Sequence, residues 1–315
     1  MGNNINSGWE LFSRISKNFH LASRLLPHDI GNTNMIFYLT LKIADTIEDS
    51  ALPLEAKKEC FDLFRAFLLK DGNIPCFISR FGEEANLTCR EKNLIANTGL
   101  VLDLFYSIET TLRRSFAGDI REMTMGMEKY LEKRIMTIHD QDDYCHYVAG
   151  MVGKSLTDLY RHYGHITARQ HDRMLRLSND FGLLLQKVNI IRGLREDYNK
   201  SNENSANRIY APERLLDRFD LGLEELFNPE NSGKALLFLE ELVKDAEKHK
   251  QPSFEYVKQI PKKEKGIRRF SNVILLTSLK LLDKCRGNYE VFERDVEISL
   301  SPVEKAVVLA KSLYK

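Results

Sequence analysis

No proline occurs between Pro75 and Pro212. An interior proline removes a backbone donor and costs a helix about 3 kcal/mol, so a long proline-free stretch leaves the chain free to run as helix. The prolines that do occur, at 27, 53, 75, 212, 229, 252, 261 and 302, fall toward the two ends. No alternating strand pattern closed by Asn-Gly or Asp-Gly turns appears, and no internal repeat. The expectation is an all-α chain of about ten helices forming one domain over residues 1–315. Loops are predicted over 26–32, 50–53, 71–75, 199–207, 228–233 and 250–266. The last holds the basic run Lys262–Arg269, read as a solvated loop.

Within that stretch, residues 173–197 carry two stripes. Met174, Leu177, Phe181, Leu184, Val188 and Ile191 recur at three and four and share one helix face at about 100° per residue. Gln186, Asn189, Gly193, Glu196 and Asp197 form a second, polar stripe well around from the first. Amides ending in an acidic pair are compatible with a solvated face and with a lined site.

Residues 37–49 show the same duality. Tyr38, Lys42, Asp45 and Asp49 lie at i, i+4, i+7 and i+11 and share a face, while Met35, Ile36, Phe37, Leu39, Leu41 and Ile43 are too apolar for an exposed helix. Asp45 and Asp49 repel one another one turn apart. Carboxylates on a mostly buried helix call for a compensating cation. Magnesium suits such a pair, since it keeps several waters and takes further oxygens from substrate phosphate. The spacing alone also occurs in helices that bind nothing.

Residues 143–153 are helical in period yet hold Gly150 and Gly153, each costing about 1 kcal/mol relative to alanine in a helix interior. Their return is room, for a neighbouring helix or for a bulky ligand. Tyr144, Val148 and Val152 then share one face, apolar but for a single phenol.

The bulk numbers restrict partners. Net charge is +1, from 46 basic and 45 acidic residues. A nucleic-acid reader normally shows a basic excess, so none is expected here. Five scattered cysteines form no zinc spacing and suit a reducing compartment. The N-terminus lacks an apolar signal core, and Asn6 stands where a myristoylation signal wants Ser or Thr. No stretch is long and apolar enough to span a bilayer. A cytoplasmic protein is expected; oligomeric state is open.

Taken together, Ser16–Pro27, Phe37–Asp49, Tyr144–Gly153 (YCHYVAGMVG) and Leu185–Arg192 (LQKVNIIR) closely resemble the squalene/phytoene synthase family, squalene synthases most of all. Arg208–Pro212 is a weaker match, and Phe270–Glu297 a fainter one. The resemblance implies an isoprenoid-synthase-type helical bundle with a central cavity. It also implies a reaction, the magnesium-dependent head-to-head joining of two prenyl diphosphates, with farnesyl diphosphate the expected substrate. Presqualene diphosphate forms first, then squalene or a dehydro product. Transient membrane contact would accompany product release.

By motif match, Asp45 and Asp49 are implied magnesium ligands. Lys17, Lys42 and Arg192 are implied phosphate contacts, with Tyr38 and Gln186 also on the substrate-binding faces. Tyr144 is the implied acid/base near the diphosphate. Phe19, Val148, Val152, Leu156 and Phe270 are implied to line the hydrocarbon pocket, the alternative for each being an ordinary core position.

Two departures stand out. The family's second acidic motif opens with Asp directly after Asn-Ile-Ile-Arg; here that residue is Gly193, so one carboxylate is lost. Asn189, Glu196 and Asp197 remain on that face as candidate ligands of a second magnesium group, and Arg195 adds positive charge. Squalene synthases also carry a basic stretch near the C-terminal end that contacts the NADPH phosphate. The corresponding string here, Val296–Leu300, has no cation, which puts NADPH use in question unless Lys262–Arg269 serves instead. Two alternatives therefore stay open. One is a single-substrate terpene synthase, the other a catalytically impaired prenyl-diphosphate-binding protein.

Overall fold

The computed structural model describes residues 2–82, 85–204, 209–295 and 297–312, with the side chains of residues 2, 3 and 200–204 left aside. Among the described residues all regular structure is helical. The chain groups into two compact units, 1–131 with 158–165 and 132–157 with 166–315.

The first unit holds α1 (Gly2–Ile15), α2 (Lys17–Ser23), α3 (His28–Asp49), α4 (Leu54–Phe67), α5 (Ile74–Ser79), α6 (Cys89–Ala96), α7 (Thr98–Ser107) and nearly all of α8 (Thr110–Glu132). Its centre is α3, packed by α1, α4 and α7. Ile30, Met35, Leu39, Ile43 and Ile47 on α3 are fully buried, which accounts for the apolar excess in that segment. The helix begins directly after Pro27, whose fixed φ suits a helix entry, with Asp29 in the first turn against the positive helix end. The loop predicted over 26–32 therefore shrinks to a turn. A cavity of about 800 Å³ lies beside α4 and α8, lined by Arg65, Arg113, Arg114, Arg121, Leu69 and Met125 among others. It includes none of the predicted pocket residues.

The second unit contains α9 (Ile138–Cys145), a π-helical turn (His146–Gly150), α10 (Met151–His162) as far as 157, and α11 (Ala168–Asn204). After these come α12 (Glu213–Asp217), α13 (Ser232–Glu247), α14 (Lys250–Gln259), α15 (Lys265–Cys285), α16 (Glu290–Glu293) and α17 (Pro302–Ser312). At 37 residues, α11 is the axis of this unit, packed by the π turn, α13, α14 and α15. Thr167 and Gln170 open it as a capping box: the Gln170 amide NH donates to Thr167 Oγ1 and the Thr167 NH to Gln170 Oε1. The predicted apolar stripe is buried at Met174, Phe181, Leu184, Val188 and Ile191.

Two predicted loops are helix over much of their length, with 260–264 remaining a connection. Residues 250–259 form α14, because Pro252 falls in its first turn, where a missing NH costs nothing. The basic run then enters α15 from Lys265, with Arg268 donating to the Ile260 carbonyl at 2.8 Å. The other, 199–207, is helical as far as Asn204, and 205–207 lie outside the described residues. Short helices of four to eight residues raise the count to seventeen among the described residues, above the expected ten. Their periodicity is too brief to read.

The glycines of the 143–153 segment are explained by helix packing. A Cβ on Gly150 would stand 2.2 Å from Asn179 Oδ1, and one on Gly153 would stand 2.4 Å from the Ser178 carbonyl oxygen. Gly182 on α11 lies correspondingly against the Ala149 backbone. The room goes to the neighbouring helix rather than to a ligand. We expect Gly153→Ala to destabilise the fold by about 1–3 kcal/mol through overpacking against backbone, checked by urea unfolding. An unchanged midpoint would show that α10 slides freely on α11.

Candidate active site

In the first unit the shared face predicted on α3 is realised. Lys42 Nζ lies 3.4 Å from Asp45 Oδ2 and 4.0 Å from Asp49 Oδ2. The two aspartates keep open tips, 41% and 50% exposed, while Lys42 is 25% exposed. Burial would push the Lys42 ammonium down, but Asp45, Asp49 and Tyr38 outweigh it and hold it above its ordinary value. Asp45 is pushed up by the protein crowding its inner side and by Asp49, with Lys42 pulling the other way. Lys42 was implied as a phosphate contact; here its ammonium is engaged by the aspartates.

One turn earlier, Tyr38 stacks on Phe19 at 5.2 Å and meets Phe12 at 4.7 Å. Burial raises its phenol above the ordinary value, against a hydrogen bond from Ser16. Ser16 also caps α2, accepting from the Phe19 NH at 3.4 Å. Its neighbour Lys17 is exposed at the first position of α2. Phe19, 37% exposed, rests its ring on Tyr38.

In the second unit the polar stripe of α11 is likewise continuous. Asn189 Nδ2 donates to Gln186 Oε1 at 3.5 Å, and Arg192 Nε donates to Asn189 Oδ1 at 3.2 Å. A chain segment from the C-terminal end lies along this face. Arg192 Nη1 pairs with Glu297 Oε2 at 2.7 Å, and the Ile298 NH donates to the Arg192 carbonyl at 3.3 Å. Asp295 meets Arg195 Nε at 3.5 Å and accepts from Asn199 Nδ2 at 2.9 Å. Arg195 is thus occupied by Asp295 and by the Phe227 ring, 5.4 Å away. Glu196 and Asp197 are half-buried on the same helix. Val296 and Arg208 lie outside the described residues.

Tyr144 is 4% exposed, its ring stacked on Tyr210 at 4.0 Å. That stack is anchored by a group the sequence reading missed. Lys187, 1% exposed, is held by Asp142 at 2.5 Å and by Asp245, and donates to Gln141 Oε1 at 3.2 Å. Gln141 in turn donates to the Tyr210 carbonyl at 2.7 Å. Burial would lower Lys187, but Asp142 and Asp245 outweigh it and hold it up. Asp245 is held below its ordinary value, Lys187 and Lys248 outweighing burial. A lysine directly before the apolar-stripe residue Val188 was the available signal. Leu156 and Phe270 are buried at 6% and 1%, and Val148 and Val152 are half-buried on and after the π turn.

The donor sets can be tested against magnesium. Asp45 and Asp49 present hard oxygens with a cation, the Lys42 ammonium, already between them. On α11 a Cβ placed on Gly193 would lie 3.6 Å from Asp197 Oδ2. No three His, Cys, Asp or Glu side chains gather as a complete cage among the described residues. Incomplete sets fit an ion that takes its remaining oxygens from water and phosphate.

Comparison with known proteins bears on the family and the fold. The squalene/phytoene synthase family model matches residues 12–302. A squalene synthase of Nicotiana benthamiana is 29% identical over 307 residues, covering 95% of this chain and 69% of its own. Squalene synthase 1 of Panax ginseng is also 29% identical, over 97% of this chain and 69% of its own. The solved complex of TcSQS with a ligand superposes with a TM-score of 0.83 at 25% identity, over 99% of this chain and 86% of that one. A dehydrosqualene synthase shares the fold at a TM-score of 0.66 and 20% identity, over 99% and 95%. The chain belongs to the squalene/phytoene synthase family and is a prenyltransferase of the head-to-head type.

Proposed function

We propose that the chain condenses two farnesyl diphosphates to presqualene diphosphate in the presence of magnesium. The observation that carries this reading is the Asp45–Asp49 pair gathered about one cation beside the Tyr38 and Phe19 rings. Asp45 and Asp49 would hold magnesium, with Asn189, Glu196 and Asp197 serving the second group. Bound magnesium supplies positive charge to the diphosphate oxygens as they take up the leaving electron pair.

The remaining chemistry belongs to side chains. Arg192, already offering one guanidinium nitrogen to Glu297, retains other donors in its planar fork for phosphate oxygens. Lys17, exposed and close to Phe19 in sequence, adds a second positive charge. As the C1–O bond of one substrate breaks, the double bond of the other forms the new carbon–carbon bond, and proton loss closes the cyclopropane. We assign the relay of that proton to Tyr144 Oη, which would take it up while passing its own phenol proton to the departing diphosphate, its ring held by the stack on Tyr210. Aromatic faces such as Tyr38 and Phe19 favour a neighbouring cation, and apolar walls keep water from quenching it. Leu156, Val148, Val152 and Phe270 are proposed for those walls.

For the second half-reaction, we propose that Glu297–Leu300 does not anchor NADPH, because it presents a carboxylate to Arg192 where a phosphate would need a cation. No helix among the described residues is long and apolar enough to cross a membrane; brief contact with a bilayer for product release is part of the proposal.

Purified protein incubated with farnesyl diphosphate and magnesium, with and without NADPH, tests the reading by product mass. We expect a thirty-carbon product whose identity NADPH does not change. A fifteen-carbon product would instead indicate single-substrate ionisation. Tight binding without turnover would indicate a binding protein.

A further inference from the structure

The space above Gly193 is where a carboxylate is missing from α11. Gly193 is nonetheless buried. What covers it is Glu297: a Cβ built on Gly193 would meet Glu297 Oε1 at 3.4 Å, Asp197 Oδ2 at 3.6 Å and Glu297 Cγ at 4.0 Å. The two oxygens of Glu297 divide their work. Oε2 pairs with Arg192 at 2.7 Å, and Oε1 is the atom nearest a Cβ on Gly193.

This placement is fixed by more than one contact. The Ile298 NH donates to the Arg192 carbonyl, Arg192 Nη1 also reaches the Ile298 carbonyl at 3.5 Å, and Asp295 is held by Arg195 and Asn199. These contacts tie residues 295 and 298, on either side of Glu297, to α11. The Glu297 side chain stays 38% exposed.

We propose that Glu297 is the replacement for the carboxylate absent at residue 193, a divalent-metal ligand delivered from the C-terminal segment. The inference rests on the functional reading above for the presence of a second metal group. It goes beyond that reading in naming a residue from a distant part of the chain. It also explains why Gly193 is small. A side chain carboxylate there would stand against Glu297 Oε1, and two like charges at that distance disfavour one another. Glycine at 193 and glutamate at 297 are therefore two halves of one exchange, in which the negative charge moved from the helix to the segment lying on it.

The test uses Mn²⁺ as the probe, counted by the loss of its free-ion paramagnetic resonance signal, in a D45N/D49N background that removes the first acidic pair. We expect E297Q to weaken Mn²⁺ binding about tenfold or more, since losing even a hydrogen-bond partner of a ligand costs about 10–100-fold. G193D/E297Q should recover most of it, since the carboxylate is returned from the helix side. Circular dichroism melts on each variant confirm that a folded protein is compared.

If Glu297 only neutralises Arg192, E297Q will leave Mn²⁺ binding unchanged and tighten inorganic pyrophosphate instead, which overturns the proposal. Failure of G193D/E297Q to recover binding lost in E297Q also overturns it. Because the readout is metal binding, recovery in the double variant would support the proposal even if no prenyl product forms. Conversely, a thirty-carbon product made by a protein whose E297Q variant binds Mn²⁺ normally would sink the proposal alone.

Discussion

Replacing Asp45 and Asp49 together with asparagine is expected to lower turnover of farnesyl diphosphate by about a thousandfold or more, the scale on which loss of transition-state charge stabilisation is felt. The shape of the site survives the change, since asparagine is isosteric and the α3 core beneath is apolar and fully buried. What is lost is negative charge, so Lys42 loses the two partners at 3.4 and 4.0 Å that raise it. Steady-state kinetics across a magnesium titration separates two explanations. A metal-holding pair predicts that the variant's rate rises with magnesium well beyond the range that saturates the parent. A purely structural pair predicts a lowered melting temperature with unchanged magnesium dependence, and that result would remove Asp45 and Asp49 from the chemistry.

The largest expected stability effect belongs to Lys187. Lys187→Met leaves Asp142 and Asp245 facing a buried thioether, and removing one partner of a buried ion pair costs about 3–5 kcal/mol. The melting temperature should fall by roughly 10 °C at neutral pH. The pH dependence has a definite sign. Asp245 is depressed below 3.8, so its contribution is complete above that value and is lost as pH falls through the depressed one. Lys187 is raised above 10.5, so its contribution is complete below that value and is lost only as pH rises through the elevated one. The deficit of the variant should be flat across neutrality and shrink in acid, where Asp245 takes up a proton. A deficit that stays constant down to acid pH would show that packing, not charge, holds the cluster. Activity should fall as well, because Gln141 passes the anchor on to Tyr210 and the Tyr144 stack.

Lys187 and Glu297 show where sequence reading stops. Both are polar residues whose partners lie far along the chain: Asp142 and Asp245 for one, Arg192 and the Gly193 gap for the other. Pairings of that kind leave no local period. The α3 face was different, because helix geometry alone brings residues 38, 42, 45 and 49 to one side. The same geometry aligned Gln186, Asn189 and Arg192, and the hydrogen bonds linking them follow that register. Gly150 and Gly153 were legible as a demand for space but not as to what fills it. The nearby Asn179 side chain and Ser178 carbonyl decided in favour of α11.

The sequence by itself determined the all-helical class, through its long proline-free stretch, and the two polar faces, through a repeat that each helix turn enforces. Tertiary structure decided which charges those faces keep. Lys42 pairs with Asp45 and Asp49, Arg195 pairs with Asp295, and the position at Gly193 is covered by a carboxylate from the C-terminal segment. The physical reason is that side-chain direction within a helix is local, whereas charge compensation is settled by whatever segment folds against it.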